Sequence, residues 1–348
     1  MMRLLTWLIC LALYASAGAY TFQGFINGEV ADDQFGSEIA TVDFNGDGYP
    51  DLVVGAPSND EGGLSSGKVY LYFGGPSADL VADLHFVGAP SSFFGQSLAS
   101  AGDFNADGFE DLLVGAPFYD IPASSAGAVY LFYGGSNPDT TADHIFTGQA
   151  ASDYFGIAAA GVGDFNNDGN DDIAIGAYRA DWGTFTDAGK VYVYYGGPSP
   201  DFNHDRTLVG TADGERFGFT LVGSDFTGDG IADIAVGAYS FDGTLLNQGR
   251  IYLFRGGTLP DTVVDFTITG DSAGAKYGWR LTAGDVNGDG EFDVVMGSDG
   301  FTTGLYSHGG VRVFHGGPAF DTNADISWDL GRQQSDYLGY SIGSGADL

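Results

Sequence analysis

Apart from its first residues, this chain has no cysteine. The one thiol in 348 residues, Cys10, lies in the apolar run LLTWLICLALYA near the N-terminus, so no disulfide framework is available and stability must come from burial and bound groups. Basic residues are scarce: 12 Lys and Arg stand against 46 Asp and Glu, a formal net charge of −34, which argues against nucleic acid as a partner. Long segments with 3.6-residue periodicity are missing, which excludes a helical bundle. No apolar run is long enough to form a spanning helix with flanks. No Asn-x-Ser/Thr triplet occurs, so nothing supports N-glycosylation. The five histidines, His85, His144, His204, His308 and His315, stand beside no nucleophile with a base and an orienting group, and read as scattered surface or strand residues.

The start of the chain is a processing segment in this reading. Met1 to Ala19 carries a single Arg3, then the apolar run, then Ala17-Gly18-Ala19 as a small-residue cleavage site, the pattern of a secretory signal peptide. The expected product is secreted or cell-surface. The abundant residues, 58 Gly, 27 Phe and 19 Tyr, suit an extracellular all-β protein.

Five copies of one nine-residue stretch organise the rest. They are DFNGDGYPD from Asp43, DFNADGFED from Asp103, DFNNDGNDD from Asp164, DFTGDGIAD from Asp225 and DVNGDGEFD from Asp285, spaced 60 or 61 residues apart. A period of that length means a repeated supersecondary unit. Alternate oxygen-bearing side chains on a tight loop, with a carbonyl at position 7, form a cage for a hard cation such as Ca²⁺. The candidate ligands of the first loop are Asp43, Asn45, Asp47, Tyr49 through its carbonyl, and Asp51. Those of the second are Asp103, Asn105, Asp107, Phe109 and Asp111, and of the third Asp164, Asn166, Asp168, Asn170 and Asp172. The fourth offers Asp225, Thr227, Asp229, Ile231 and Asp233, and the fifth Asp285, Asn287, Asp289, Glu291 and Asp293. Gly at position 6 of every copy (Gly48, Gly108, Gly169, Gly230, Gly290) relieves the turn of a Cβ. An EF-hand would need a Glu at position 12 on a helix. Here that position is Val54, Val114, Ile175, Val236 or Met296, inside apolar strand-like runs, so each cage sits in a β-hairpin. A metal-free Asp/Asn/Gly turn is the competing reading; five copies with three to four carboxylates each favour about five Ca²⁺ sites. The cages hold three Asp apiece plus Glu110, Asp171 and Glu291, so bound calcium would account for much of the acidity.

Around each cage the same grammar recurs. An FG-type pair leads into an apolar strand and the cage. A second apolar strand ends in Gly-Ala or Gly-Ser, and a variable loop follows. Then come an aromatic alternating strand such as KVYLYF, an acidic loop and a short strand such as HFVG. That gives four antiparallel strands per repeat, the unit of a β-propeller blade, and the aromatic alternation predicts half-buried third strands. The paired acids Asp79/Asp83, Asp139/Asp143, Asp201/Asp205, Asp261/Asp265 and Asp321/Asp325 recur in every unit and are therefore structural, where a catalytic pair would be unique. No enzyme is expected.

The chain resembles the FG-GAP repeat proteins, whose repeat builds the seven-bladed propeller of integrin α subunits. The namesake residues are Phe35-Gly36 with Gly55-Ala56-Pro57, and Phe94-Gly95 with Gly115-Ala116-Pro117. Later copies drift, through Phe155-Gly156 with Gly176-Ala177-Tyr178 and Phe217-Gly218 with Gly237-Ala238-Tyr239, to Tyr277-Gly278 with Gly297-Ser298. The resemblance implies calcium in the loop between the first two strands of a blade, and ligand on the opposite face. Cages in all five repeats and the missing cysteines depart from integrins and point to a secreted bacterial relative. Leu338-Gly339 is the sixth FG equivalent, so the expected organisation is a signal peptide over 1–19, a strand within 20–34 that closes the last blade, and an incomplete propeller over 35–348. The fold class is thus all-β, a seven-bladed type ending after five blades and the start of a sixth. A chain with such open sheet edges is expected to associate.

The loops after the Gly-Ala strands differ most between repeats and lie opposite the cages, where a scaffold carries recognition. Trp182 and Phe185, with Phe118, Tyr119 and Phe241, are the candidate ligand contacts. An exposed tryptophan on a rigid rim is a typical binding anchor. The function read from the sequence is a non-catalytic, calcium-binding adhesion or ligand-binding module for a protein or glycan. The alternative is the binding domain of a larger exported carbohydrate- or lipid-active enzyme whose catalytic part lies beyond residue 348.

Overall fold

A computed structural model describes residues 9–10, 25–300, 302–303, 306–307, 309–328 and 338–342. Every regular element among them is a strand, and twenty strands form five four-stranded antiparallel sheets with neighbours in chain order. Blade 1 comprises Ile39–Val42, Asp51–Ala56, Lys68–Tyr72 and Leu84–Val87. Blade 2 comprises Ser97–Gly102, Asp111–Ala116, Ala128–Phe132 and His144–Thr147. Blade 3 comprises Phe155–Gly163, Asp172–Ala177, Lys190–Tyr194 and Arg206–Val209. Blade 4 comprises Thr220–Ser224, Asp233–Ala238, Arg250–Phe254 and Phe266–Thr269. Blade 5 comprises Arg280–Gly284, Asp293–Ser298, Gly310–Phe314 and Ile326–Trp328.

The core lies between blades rather than within one. Val53, Val69, Leu71 and Phe86 of blade 1 pack against Phe94, Leu98, Leu112 and Val114 of blade 2, and equivalent clusters join each later pair. A sheet covered on both faces has no solvent side, so the second strands of blades 2, 3 and 4 are buried at every residue. The same packing corrects the expectation of half-buried third strands: Lys68–Tyr72 is buried throughout, the Lys68 ammonium being held by Glu29 and Glu61 at 3.0 and 2.7 Å. Only the outer strands alternate, with a single buried residue each in blades 1 and 2, Phe86 and Phe146.

The FG and Gly-Ala pairs are the interblade joint. The amide of Gly95 donates to the carbonyl of Gly115 in its own blade at 2.9 Å, and the carbonyl of Gly95 presses on Gly55 of the blade before. A Cβ on Gly115 would lie 2.2 Å from the carbonyl oxygen of Gly156, so only hydrogen fits. Gly339 stands against Gly297 in the same way, which places Leu338-Gly339 where a sixth blade begins. Burial raises the Glu38 carboxyl to about 7 and the Arg280 guanidinium pulls it back down.

Near the N-terminus Phe25–Ile26 pairs with Ile9–Cys10, and Ile26 packs with Phe35, Val54 and Tyr70 on the free face of blade 1. The remainder of the signal-peptide segment, and Tyr20 to Gly24, assigned from sequence to blade closure, lie outside the described residues.

Candidate cation loops and the opposite rim

Each nine-residue copy joins the first and second strands of its blade and folds around its own amides. In blade 1 the Asp43 carboxylate accepts from the amides of Asp47 (3.0 Å) and Gly48 (2.9 Å). The Asn45 side-chain oxygen accepts from Asp47 N–H at 2.9 Å, and Asp47 accepts from Tyr49 N–H at 3.0 Å. Blades 2 and 3 repeat this pattern with Asp103, Asn105 and Asp107 and with Asp164, Asn166 and Asp168. In blades 4 and 5, Asp225 and Asp285 also accept from position 4, and the amides of Ile231 and Glu291 bond Asp229 and Asp289. Two residues per loop are left-handed. Position 6 is always Gly, but position 4 is Gly46, Ala106, Asn167, Gly228 or Gly288 at φ 56–77°, a conformation uncommon for Ala and not foreseen from the sequence.

Position 9 differs from the others. Asp51, Asp111, Asp172, Asp233 and Asp293 are fully buried. One oxygen of each accepts amides from position 2 or 3 of its loop, and the other accepts from the glycine after the third strand, as in Asp51 to Gly74 at 2.8 Å and Asp293 to Gly316 at 2.9 Å. These aspartates brace the hairpin to the third strand. Burial drives Asp51 and Asp233 up to about 6 and Asp111 and Asp172 to about 7, against the opposing pull of the amides.

Among the described residues no three Asp, Glu, His or Cys side chains form a ready cation site, because the carboxylates are turned onto loop amides. The donor set still fits a hard cation. Each carboxylate oxygen keeps a second lone pair, position 7 adds a carbonyl, and in the fourth loop the buried Thr227 hydroxyl stands beside the Asp233 carboxyl.

Neighbouring loops are tied together by residues that the sequence reading did not single out. Glu110, at position 8 of the second loop, accepts from Asp43 N–H at 3.2 Å, and Asp171, at position 8 of the third, accepts from Asp103 N–H at 2.9 Å. In blades 2 to 5 the second glycine after the third strand also donates backward, as Gly135 to Phe44 at 2.9 Å. The recurring acid pairs are structural, as expected: Asp83, Asp143, Asp205, Asp265 and Asp325 each accept a backbone amide ten residues back at 2.8 Å.

On the opposite rim, Trp182 and Phe185 exchange backbone hydrogen bonds of 3.0 and 2.9 Å and stand 46% and 37% exposed. Phe118 and Tyr119 are half-buried. Phe241 is not available on the surface: it is 7% exposed and covered by the Arg250 guanidinium 3.6 Å from its ring centre. The loops share more than their sequences suggest. Asp60, Asp120, Asp181 and Asp242 each accept the amide of a left-handed residue five or six positions on. His308 falls outside the described residues.

The FG-GAP repeat model matches residues 35–72, 94–132, 155–194, 217–254 and 277–314, the five blades without their outer strands. Integrin alpha-5 of Xenopus laevis is 35% identical over 231 residues, covering 63% of this chain and 21% of the relative. Integrin alpha-PS2 of Drosophila melanogaster is 33% identical, covering 64% and 16%. The phosphatidylinositol-glycan-specific phospholipase D of Bos taurus is 31% identical over 236 residues, covering 61% and 28%. The chain therefore spans about a fifth of the length of these relatives. With repeats matched over more than half its residues and a blade built on each, this chain belongs to the FG-GAP repeat family and has the integrin-α-like β-propeller fold.

Proposed function

We propose that this chain is a secreted or cell-surface ligand-binding module, non-catalytic and stabilised by calcium at its five loops. The observation that carries the reading is the fivefold recurrence of one loop geometry, with donors at positions 1, 3, 5, 7 and 9 and a buried brace at position 9. Asp43, Asp47 and their equivalents would hold the ion, with the side chain at position 3 and the carbonyl at position 7. The bound ion would neutralise like charges that otherwise repel within one loop. The propeller then serves as a rigid support for the opposite rim, where a protein or glycan binds. Three of the described histidines are packed against aromatic rings, His144 stacking on Phe202 at 3.9 Å and His85 and His204 lying edge-on to tyrosines, while His315 stands 3.7 Å from Asp325.

Melting in chelator and in millimolar calcium tests the reading. Sites with dissociation constants of about 0.1–1 mM would each add roughly 0.4–1.4 kcal/mol at ~1 mM calcium, so the transition is expected to move up by many degrees. Superimposable curves would refute the calcium reading. Similarity to a phosphatidylinositol-glycan-specific phospholipase D favours a second reading, in which the propeller is the binding domain of a larger exported enzyme. Phospholipase or glycosidase turnover by the full-length gene product would decide for it.

A further inference from the structure

Six aromatic side chains run in contact across the rim opposite the cation loops. Phe118 of blade 2 lies 5.1 Å from Tyr154, Tyr154 5.6 Å from Tyr178, and Tyr178 5.5 Å from Phe219 of blade 4. Phe219 is 5.1 Å from Trp279 of blade 5, and Trp279 6.1 Å from Tyr340 at the start of the sixth repeat. None of the six is buried, and Tyr340 is 48% exposed. Scaffold positions set the arc: its members stand beside an FG-type pair or follow a Gly-Ala pair, on the strand ends that converge at the axis.

Four basic residues of this acidic chain lie on the same arc. Of 12 Lys and Arg in all, Arg179 lies over Tyr154, Arg216 over Tyr178, Lys276 over Trp279, and Arg280 over both Phe219 and Trp279, at 5.1–5.8 Å. Acidic partners do not match them. Arg179 and Arg216 share the single carboxylate of Asp187, Lys276 pairs with Asp299, and Arg280 has no ion pair among the described residues. With Glu38, whose carboxyl Arg280 pulls down, four cations face three carboxylates, an excess of one positive charge in a chain that is otherwise strongly acidic. The 350 Å³ cleft of blade 1 is the reverse: five acids, Glu29, Asp32, Asp33, Asp60 and Glu61, line it.

We propose that this arc binds an acidic polysaccharide, with pyranose faces on the aromatic rings and ring carboxylates on Arg216, Lys276 and Arg280. The negative face of an aromatic ring attracts the positively polarised C–H bonds of a sugar, and guanidinium groups held in place by stacking present donors to carboxylates at low entropic cost. An extended polymer fits better than a small molecule, because the contacts are spread over four blades. It also fits better than an acidic peptide: the loop amides here are largely spent on internal hydrogen bonds, so no strand edge is offered for a peptide to extend. The inference rests on the reading of this rim as the ligand face, and it names the ligand class.

The test is calorimetric binding of the full chain to oligogalacturonate, neutral dextran and poly-glutamate in saturating calcium, with Arg280→Gln, Trp279→Ala and, as a control away from the arc, Arg255→Gln. Oligogalacturonate is expected to bind, dextran and poly-glutamate to bind at least tenfold more weakly, and Arg280→Gln to weaken oligogalacturonate about tenfold, the equivalent of ~1.4 kcal/mol. Added salt should weaken binding further. Arg280→Gln changes a half-buried charge without removing an aromatic ring and keeps the test valid if Trp279→Ala fails to fold. No oligogalacturonate binding, equal binding of dextran or poly-glutamate, or equal losses in Arg280→Gln and Arg255→Gln would each overturn the proposal. The two readings fail separately. A protein or neutral glycan captured by the parent and lost in Arg280→Gln would keep the rim as ligand face while overturning the acidic-polymer assignment, and the calcium shift in melting is read on samples without glycan.

Discussion

Replacing Asp172 by alanine removes a fully buried carboxylate that accepts three backbone amides, from Phe165 and Asn166 at 3.1 Å each and from Gly196 at 2.9 Å. The Phe165 amide also donates to the Gly163 carbonyl at 2.9 Å, so two amides, those of Asn166 and Gly196, lose their acceptor; each buried amide left without a partner costs about 1–3 kcal/mol. Relief from burying a carboxylate whose pKa is already driven to about 7 offsets part of this. The expected loss is about 3–5 kcal/mol, measured by urea unfolding in chelator, where no cation contributes. The comparison is Asp168→Asn, at position 5 of the same loop. Asp168 is exposed, so its change should cost no more than about 1 kcal/mol in chelator. In calcium both variants should also lose one site's share, roughly 0.4–1.4 kcal/mol. The reasoning fails if Asp172→Ala stays within about 1 kcal/mol of the parent in chelator with an unchanged denaturant slope, because the position 9 aspartates would then not brace the hairpin.

Three further expectations rest on single residues. Gly115→Ala puts a Cβ 2.1 Å from the Ser97 hydroxyl and 2.2 Å from the Gly156 carbonyl; it should cost about 2–4 kcal/mol in thermal unfolding, against about 0.5 for Gly284→Ala, which meets nothing within 4 Å. Glu38 has a folded pKa of about 7 against 4.5 unfolded, so the folded state holds the extra proton. Its contribution is full below about pH 4.5 and is lost as pH rises through 7. Glu38→Gln should therefore stabilise the protein at pH 8 relative to pH 5 by on the order of 1 kcal/mol, and an identical pH profile in the variant would count against this. Trp182→Ala should leave the melting curve within about 1 kcal/mol while weakening any ligand held on the rim; lost stability with binding intact would make Trp182 a cap over its blade.

Repeats were the legible part of this sequence. Five copies at a fixed spacing gave strand number, strand order and blade boundaries, since a Gly-bounded apolar run between two turn signals has few alternatives. Neighbour relations stayed hidden. KVYLY alternates like a half-exposed strand, yet Val69 and Leu71 meet blade 2 while Tyr70 and Tyr72 lie under Ile26 and Phe35, so the period-two pattern sorts residues between two buried interfaces instead of between core and water. Glu110 and Asp171 read as further acids in an acidic loop, and only the curvature of the ring brings them to the amides of Asp43 and Asp103. Phe241 reads as a loop aromatic but lies under Arg250, because the loop folds back onto the third strand. The aromatic arc was split in the same way, its members spread from Phe118 to Tyr340 in the chain and adjacent only around the axis.

Calcium stoichiometry tests the central claim most directly. Titration of the decalcified chain by calorimetry should give about five ions per chain at dissociation constants near 0.1–1 mM. Asp47→Asn, Asp107→Asn, Asp168→Asn, Asp229→Asn and Asp289→Asn should each remove one ion. Absence of binding in the millimolar range, or a stoichiometry unmoved by these five substitutions, would show the loops to be metal-free turns and contradict the account.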